Sequence, residues 1–482
     1  MDKDLASVQE ARERISKAHE AWQIWSKATQ AEVDRVCEAM ADAAFQASER
    51  LGLMAHEETG YGVPEHKKLK NVVGSKMVWE SIRAEKTVGV INFDREKRIS
   101  EIAWPMGVIV ALVPSTNPTS TAFFKSLISV KARNAIVVSP HPSAARCTYE
   151  AVFVMAQAAE KAGAPQGLIS CMQQVSLEGT NELMSHRKTA LILATGGTPM
   201  VRAAHSTGKP AYGVGPGNVP VYVDRSADLQ KAAKYIVASK AFDCSTICAT
   251  EQAVVADRPI AKQLADLMYS EGAYFCNEKE TDLLRKTVFN PNGSMNVNVV
   301  GKPAQFVASF AGFSVPDTAR ILVTPLVDIG RNEPLSHEKL TTVLGWYEVD
   351  GWEQGCDVSM ALIASGGTGH TQIIHAQNED VILKFGLEKP VFRILVNTMG
   401  TVGAVGLTSG LTPSFTLGSG GIGGAITGDN ITARHLINIK RLAYELYEPP
   451  AEILTPVSIP NLTSLSELEP FVEKTLQEIL NL

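Results

Sequence analysis

The chain has 482 residues, of which 45% are hydrophobic and 20% are charged, the composition of an ordinary globular protein. That length exceeds what one hydrophobic core usually supports, so we expect two or three domains. The formal charge of −6 gives no electrostatic basis for binding nucleic acid or an anionic membrane, and no uninterrupted apolar run predicts a membrane span.

The cysteines argue against a disulfide scaffold. There are 7 of them, they are scattered, and no two form a CxxC pair, so we expect neither a structural zinc site nor any other metal centre. The N-terminal residues Met1–Asp4 open a polar helix and do not have the pattern of a signal peptide. These features predict a protein of the reducing cytoplasm.

The first 205 residues alternate between helical and strand patterns. Residues 5–60 have helical spacing of apolar side chains. Four apolar runs of strand length follow, at 88–91, 107–113, 135–139 and 190–194, and predicted helices lie at 122–132, 146–162 and 200–205. This order predicts a doubly wound parallel sheet, whose ligands bind beyond the carboxyl ends of the strands. The loops 114–118, 139–142 and 195–199 should therefore share one rim.

The middle of the chain contains two stretches that are rich in glycine. Tyr212–Asn218 is dense in Gly and Pro and predicts a hinge or domain crossing, after which a second α/β unit runs from about 219 to 410. Residues 403–430 are either a flexible surface loop or a backbone that approaches a ligand or another chain closely, and the composition favours neither.

The C-terminus predicts a separable tail. Pro449, Pro450, Pro456 and Pro460 mark a linker, and residues 465–480 form a short amphipathic helix. One face of this helix carries Leu468, Val472, Leu476, Ile479 and Leu480. The helix either packs on its own domain or docks onto another protein.

Cys248 is the strongest candidate for a nucleophile. It lies in the run Phe242–Gln252, just before an apolar strand, and a thiolate adds to carbonyl groups and leaves readily from a thioester. A buried structural cysteine is the alternative.

Several segments in fixed order resemble the aldehyde dehydrogenase superfamily, and in particular its CoA-acylating branch. The resemblance covers residues 5 to 447. The segments are Pro114–Ser120, Ser139–Pro142, Gly208–Asn218, Ile247–Ala249, His337–Leu340, Gly369–Thr371 and His435–Asn438.

The resemblance implies an α/β fold with two doubly wound domains and a small oligomerisation element. The N-terminal domain, residues 1–217, would bind NAD and CoA, and the catalytic domain, residues 218–429, would carry Cys248. Residues 430–448 would return to the cofactor and oligomerisation region, and 449–482 would form the linker and helix. The assembly would be a homodimer or a homotetramer.

The resemblance also implies the catalytic roles. Cys248 would add to the aldehyde, and Asn117 with the Cys248 backbone N–H would stabilise the oxyanion. His370 would act as an acid or base toward the CoA thiol or the hemithioacetal hydroxyl. The alternatives are an Asn-Pro turn at Asn117 and a structural hydrogen bond at His370.

Further residues would bind the cofactor, with Glu338 on the nicotinamide ribose and the others around the nicotinamide, adenosine and pyrophosphate. We favour NAD, with NADP as the alternative. The residues are Pro114, Ser115, Thr116, Ser139, Pro140, His141, Gly196, Gly197, Gly213 and Glu338.

The absence of one glutamate distinguishes this sequence from the hydrolytic branch of the superfamily and favours the CoA-acylating branch. Hydrolytic relatives carry a glutamate that activates water where this chain has Gly213 or Val214, so CoA should release the acyl group instead. The predicted activity is the reversible oxidation of acetaldehyde, propionaldehyde or a similar short aldehyde by NAD and CoA. A functionalised aldehyde such as sulfoacetaldehyde or succinate semialdehyde, a hydrolytic enzyme, and a non-catalytic assembly protein remain alternatives.

The tail resembles the encapsulation peptides of bacterial microcompartment enzymes. It therefore implies a microcompartment shell as a possible partner, with the enzyme inside the compartment.

Overall fold

The computed structural model describes residues 2–455 and 465–480, and these residues form an α/β protein. The helices are α1 (Lys3–Trp25), α2 (Gln30–Gln46), α3 (Ser48–Thr59), α4 (Pro64–Val72), α5 (Val78–Ile82), α6 (Pro118–Lys131), α7 (Ala145–Lys161), α8 (Leu177–Ser185), α9 (Thr198–Ser206), α10 (Leu229–Ala241), α11 (Arg258–Ser270), α12 (Glu278–Val288), α13 (Ala304–Ala311), α14 (Gly351–Ala364), α15 (Glu379–Glu388), α16 (Gly400–Ala404), α17 (Ala451–Leu454) and α18 (Leu465–Leu480). The strands are β1 (Gly89–Asp94), β2 (Ile99–Pro105), β3 (Val108–Val113), β4 (Ala135–Pro140), β5 (Ile169–Cys171), β6 (Thr189–Thr195), β7 (Ala211–Val214), β8 (Val219–Val223), β9 (Glu251–Asp257), β10 (Ala273–Phe275), β11 (Ile321–Pro325), β12 (Val343–Val349), β13 (Gln372–His375), β14 (Ile394–Val396) and β15 (Ile437–Ala443).

The N-terminal helical prediction is confirmed, with breaks after α1 and α2. Thr29 caps the N-terminus of helix α2. Its hydroxyl accepts a hydrogen bond from the Glu32 N–H, and the Glu32 carboxylate accepts one from the Thr29 N–H. This capping box satisfies backbone groups that the first helical turn leaves unpaired. It explains why the long helical pattern restarts at this point.

The first sheet has five parallel strands in the order β5-β4-β3-β6-β7. Strands β3 and β4 are buried along their whole length, as a parallel sheet covered on both faces requires. The predicted strands at 107–113, 135–139 and 190–194 are therefore confirmed. Strand β5 was missed because its three residues are too few to show a pattern.

The second sheet has seven parallel strands in the order β10-β11-β12-β9-β8-β13-β14. The start of the predicted crossing is part of strand β7, which pairs with β6. The chain passes from the first sheet to the second through residues 215–218 alone. The predicted domain boundary at 217/218 falls within this passage and stays a prediction.

The glycine-rich stretch packs against its own chain. A Cβ on Gly420 or Gly428 would collide with the Phe392 ring, and one on Gly418 would collide with the Thr427 carbonyl. Glycine is needed at these positions because the backbone approaches its neighbours too closely for any side chain.

Residues 92–101 and the described part of 441–482 form a second, small compact unit. Within it, Arg98 donates to the Glu445 carbonyl at 3.0 Å and Arg441 pairs with Glu101 at 3.1 Å. Strands β1, β2 and β15 form a three-stranded sheet in that order. The predicted C-terminal helix is present as α18, whereas the predicted linker residues Pro456 and Pro460 lie outside the described residues.

Across the two described segments, no helix combines the length and the apolar composition that a bilayer crossing needs. In the same segments, no group of three or more His, Cys, Asp or Glu residues is arranged to hold a metal ion.

Candidate active site

A cavity of about 390 Å³ opens at the carboxyl ends of the strands of the first sheet. The three predicted rim loops all contribute to its wall, together with the segment around Cys248. The predicted site residues that line it are Pro114, Ser115, Thr116, Asn117, Ser139, Pro140, His141, Gly196, Gly197, Cys248 and Glu338. The structure thus brings together residues more than 200 positions apart in the chain.

The apolar end of the cavity is defined here as the part of its wall that carries Pro140, Pro142, Val175 and Leu177, with polar side chains between them. Val175 and Leu177 line it beside the loop that follows β4. Ser139 is buried there and its hydroxyl lies 2.9 Å from that of Thr180, whereas the exposed His141 places its Nδ1 2.8 Å from the Ser143 hydroxyl. Such a wall suits a flat aromatic base.

Gly196 and Gly197 lie between β6 and the first turn of α9. A Cβ built on either glycine would meet the protein only at ordinary contact distance, 3.8 Å, so the chain itself does not require glycine here. The free space at a helix N-terminus fits the close approach of an anionic group such as a pyrophosphate.

Cys248 is half-buried because its side chain opens onto the cavity. Burial raises the pKa of its thiol to about 12, and the nearby carboxylate of Glu338 adds to this effect. Arg393, the Cys248 backbone N–H and Lys70 act in the opposite direction. The protein alone therefore holds the thiol protonated, and attack on a carbonyl requires a group that takes its proton.

Asn117 is the residue before α6 and its carboxamide faces the segment that precedes Cys248. Its Nδ2 donates to the Thr246 carbonyl at 3.0 Å and to the Thr116 hydroxyl at 3.1 Å. Its Oδ1 accepts a hydrogen bond from the Lys70 ammonium at 2.6 Å. The oxygen is thus held by a cation, and the amide nitrogen lies against the segment that leads to Cys248.

Glu338 is the single carboxylate among the described residues that line the cavity. Burial raises its pKa to about 7, although the Gly217 N–H donates to its Oε1 at 3.0 Å and stabilises the charged form. A carboxyl group with this pKa exchanges protons readily near neutral pH.

His370 does not line the cavity. It is buried on the far side of Gly217. A Cβ added to Gly217 would lie 3.0 Å from His370 Nδ1 and would collide with the Cys248 carbonyl. Its Nδ1 lies 2.9 Å from the Thr371 hydroxyl, and its Nε2 has no hydrogen-bond partner among the residues that the structure describes. Burial and the charge of Arg393 lower the pKa of His370 to about 3, so its ring is neutral at physiological pH.

Gly213 is also absent from the cavity wall. It lies within β7, where a Cβ would collide with the side chains of Val201 and His205. Its neighbours Val214 and Gly215 line the cavity instead. A side chain at 213 would therefore require the side chains of Val201 and His205 to move.

Sequence reasoning missed a buried charged cluster beside the cavity. Lys67 and Lys70 on α4 both pair with Asp243, and all three side chains are almost inaccessible to solvent. A lysine pair spaced i, i+3 on a polar helix normally indicates a solvated face, so nothing in the sequence signalled its burial.

Three comparisons with known proteins agree with this geometry. Residues 2–273 match the aldehyde dehydrogenase family. Aldehyde-alcohol dehydrogenase 2 of Entamoeba histolytica is 41% identical over 455 residues, which cover 91% of this chain and 52% of that protein. This chain spans about half the length of the first curated relatives it matches.

Two solved structures superpose closely. An acetylating aldehyde dehydrogenase from Geobacillus thermoglucosidasius is 49% identical with a TM-score of 0.92, over 93% of this chain and 99% of that one. A propionaldehyde dehydrogenase from the fucose utilisation microcompartment of Clostridium phytofermentans is 28% identical with a TM-score of 0.82, over 90% of this chain and 97% of that one.

Proposed function

The chain belongs to the aldehyde dehydrogenase family, and on this premise we propose that it is a CoA-acylating aldehyde dehydrogenase. It oxidises a short-chain aldehyde with NAD and CoA to an acyl-CoA and NADH, and the reaction is reversible. The observation that carries this proposal is a cavity lined, among the described residues, by one thiol and one carboxylate, with Gly213 and Val214 where hydrolytic relatives carry a water-activating glutamate.

Cys248 forms the covalent bond to the substrate. Its sulfur adds to the aldehyde carbon, and the thiol proton passes to a base. We assign this proton to Glu338, which shares the cavity with Cys248 and is partly ionised near neutral pH because its pKa is about 7. Its predicted contact with the nicotinamide ribose stays part of the proposal. Asn117 Nδ2 donates to the Thr246 carbonyl and to the Thr116 hydroxyl, and we propose that the bond to the Thr116 hydroxyl is exchanged for one to the substrate oxygen as negative charge develops on it.

The cavity fits a nicotinamide dinucleotide. The apolar end accommodates the base, and the open backbone at Gly196 and Gly197 leaves room for the pyrophosphate at the start of α9. When bound, NAD supplies the hydride acceptor. Among the described lining residues there is neither a lysine nor an arginine to hold a 2′-phosphate, which favours NAD over NADP.

Release of the acyl group distinguishes this enzyme from a hydrolase. Gly213 is packed against Val201 and His205, so the crossing offers no carboxylate to activate water. The CoA thiolate attacks the acyl carbon, the bond between that carbon and the Cys248 sulfur breaks, and the Cys248 thiolate leaves. One thioester replaces another, so the exchange is nearly balanced in energy. His370 stays a candidate for an acid or base in this step, although its ring lies behind Gly217 in the protein alone.

The decisive experiment measures NADH formation from propionaldehyde with and without CoA and identifies the product by mass spectrometry. We expect acyl-CoA from the wild type and no turnover from Cys248→Ala. Cys276→Ala, which replaces a buried cysteine outside the cavity, serves as the matched control and should retain activity. Equal yields of free acid with and without CoA would instead identify a hydrolytic enzyme.

The same assay addresses the substrate and the cofactor. The described residues that line the cavity include neither a lysine nor an arginine to pair with a sulfonate or carboxylate, so we propose acetaldehyde or propionaldehyde as the substrate over sulfoacetaldehyde and succinate semialdehyde. A higher kcat/KM for either acidic aldehyde, or for NADP over NAD, would contradict this assignment.

We further propose that α18 attaches the enzyme to a microcompartment shell and that the enzyme is a homodimer or homotetramer. Phe471, Ile479 and Leu480 on α18 are 68%, 63% and 80% exposed, which is typical of an unpartnered docking helix. Sedimentation reports the subunit count. On co-expression with shell proteins, deletion of 461–482 should abolish co-purification and spare activity, whereas Lys474→Asp on the polar face should spare both.

A further inference from the structure

The buried cluster beside the cavity consists of Lys67, Lys70 and Asp243. Side-chain exposure is 3% for each lysine and 0% for the aspartate. Removing three charges from water is costly unless every one is paired and hydrogen-bonded. The surroundings of this cluster therefore indicate what it holds in place.

Lys70 uses its three ammonium hydrogens on three different groups. It donates to the Asp243 carboxylate, to the Thr246 hydroxyl at 2.9 Å and to Asn117 Oδ1 at 2.6 Å. One side chain thereby joins the loop that presents the oxyanion donor to the segment that presents the nucleophile. Lys67 shares the carboxylate at 3.1 Å, but its other contact is the Thr116 backbone carbonyl at 3.3 Å.

The segment before Cys248 is strained. Asp243, Cys244 and Ser245 have φ values of 48°, 51° and 67°, three consecutive non-glycine residues in the left-handed region. Residues with a Cβ rarely adopt this region because the Cβ lies too close to the following carbonyl oxygen. The run persists because Asp243 is held from several directions, including a hydrogen bond of 2.7 Å from the Val63 N–H.

The contact to Asn117 fixes which way the carboxamide points. A carboxamide can rotate by half a turn and exchange its oxygen for its nitrogen with little change in shape. With Oδ1 held by a cation, the nitrogen faces the Thr246 carbonyl and the Thr116 hydroxyl, which lines the cavity. With that cation removed, only these two weaker hydrogen bonds would oppose a rotation that turns the oxygen toward a developing oxyanion.

We propose that Lys70 is a positioning residue that orients the Asn117 carboxamide toward the reacting carbonyl oxygen while holding the Cys248 segment through Asp243 and Thr246. This inference rests on the proposed function, because it concerns the oxyanion of the same reaction. Lys70 touches neither substrate nor cofactor, and it acts through Asn117.

The test is a double-mutant cycle on Lys70→Met and Asn117→Ala, read as the single-turnover rate of NADH formation. We expect Lys70→Met alone to lower this rate by about 100-fold, the loss typical of one oxyanion donor, with little change in the KM for aldehyde. In the Asn117→Ala background, Lys70→Met should lower the single-turnover rate by less than about threefold, because the carboxamide that Lys70 orients is absent.

Lys67→Met is the matched control. It removes the other ammonium from the same carboxylate without touching Asn117, so it should lower the melting temperature as Lys70→Met does but reduce the rate by less than about fivefold. Equal rate losses at the two lysines, or a full loss from Lys70→Met in the Asn117→Ala background, would overturn the proposal.

If Lys70→Met does not fold, Lys70→Gln replaces it in the same cycle, since its shorter neutral side chain cannot reach both Asp243 and Asn117. The wild-type product assay stands apart from this comparison. Acyl-CoA formation by the wild type tests the proposed function, whereas only the ratio between variants tests Lys70.

Discussion

The rim of the first sheet and the segment before Cys248 both shape the cavity, but they are built differently. The rim loops follow buried strands directly, so their places are set by neighbouring residues in the sequence. The segment 243–245 is held by α4 and the residues before it, through contacts that span up to 180 positions. Local patterns predict the first kind of region, whereas only the folded chain reveals the second.

The largest expected effect is the loss of the Asp243 carboxylate. Asp243→Asn leaves two buried ammonium groups without a counter-charge, and breaking a buried pair in this way should lower the free energy of unfolding by about 3–5 kcal/mol. Urea denaturation measures this. Glu49→Gln, at an exposed ion pair with Lys68, should leave it nearly unchanged.

The pH dependence of this difference follows from the pKa of Asp243. Burial raises that pKa, but Lys70 and Lys67 outweigh burial and hold it at about 2, below the ordinary value of 3.8. The stabilisation is therefore complete above pH 3.8 and is lost as the pH falls toward 2. A constant difference between wild type and Asp243→Asn across this range would contradict the assignment.

Gly217→Ala should come next, because the added methyl group would collide with the Cys248 carbonyl and crowd His370. A displacement of the nucleophile by about 1 Å costs on the order of 100-fold in kcat. Steady-state kinetics with propionaldehyde measure it. Gly386→Ala, in α15 with open space around it, should leave kcat unchanged and raise stability slightly.

Asp243 and Gly217 show which features the sequence could predict and which it could not. The strands and the rim loops were predicted correctly because apolar runs and their following loops form a local pattern, whereas the role of Cys248 stays a prediction that came from the resemblance. Lys70, Asp243 and Gly217 were not assigned, since their roles depend on packing between distant segments. The resemblance placed Gly213 at the cofactor, but in the structure a Cβ at Gly213 would lie between β7 and α9, against Val201 and His205.

A substitution in a rim loop should affect ligand binding and leave stability unchanged, whereas Asp243→Asn should lower stability. Gly197 has a φ of −64°, and a Cβ there meets the protein only at 3.8 Å, so Gly197→Ala should leave the melting temperature unchanged. The methyl group would occupy the space proposed for the pyrophosphate and weaken NAD binding by about tenfold. Calorimetric titration with NAD measures this directly. Unchanged affinity would place the pyrophosphate elsewhere.

The smallest expected effect concerns the charge of Glu338 beside the thiol. Burial and Glu338 raise the pKa of Cys248 to about 12, so alkylation by iodoacetamide should accelerate by about tenfold for each pH unit from 8 to 10. Glu338→Gln removes the negative charge and should accelerate alkylation several-fold at pH 8 and above. Because the pKa of Glu338 is about 7, the two proteins should converge below it, where the wild-type carboxyl group is also neutral.

The control for this comparison is Glu251→Gln. Glu251 is also buried, and burial raises its pKa to about 7, but it does not line the cavity. The ratio of the Glu251→Gln alkylation rate to the wild-type rate should be the same at pH 6 and at pH 9. If the ratio of the Glu338→Gln rate to the wild-type rate is also the same at both pH values, the Glu338 carboxylate is too distant to influence Cys248. Glu338 would then no longer be the proposed acceptor of the thiol proton.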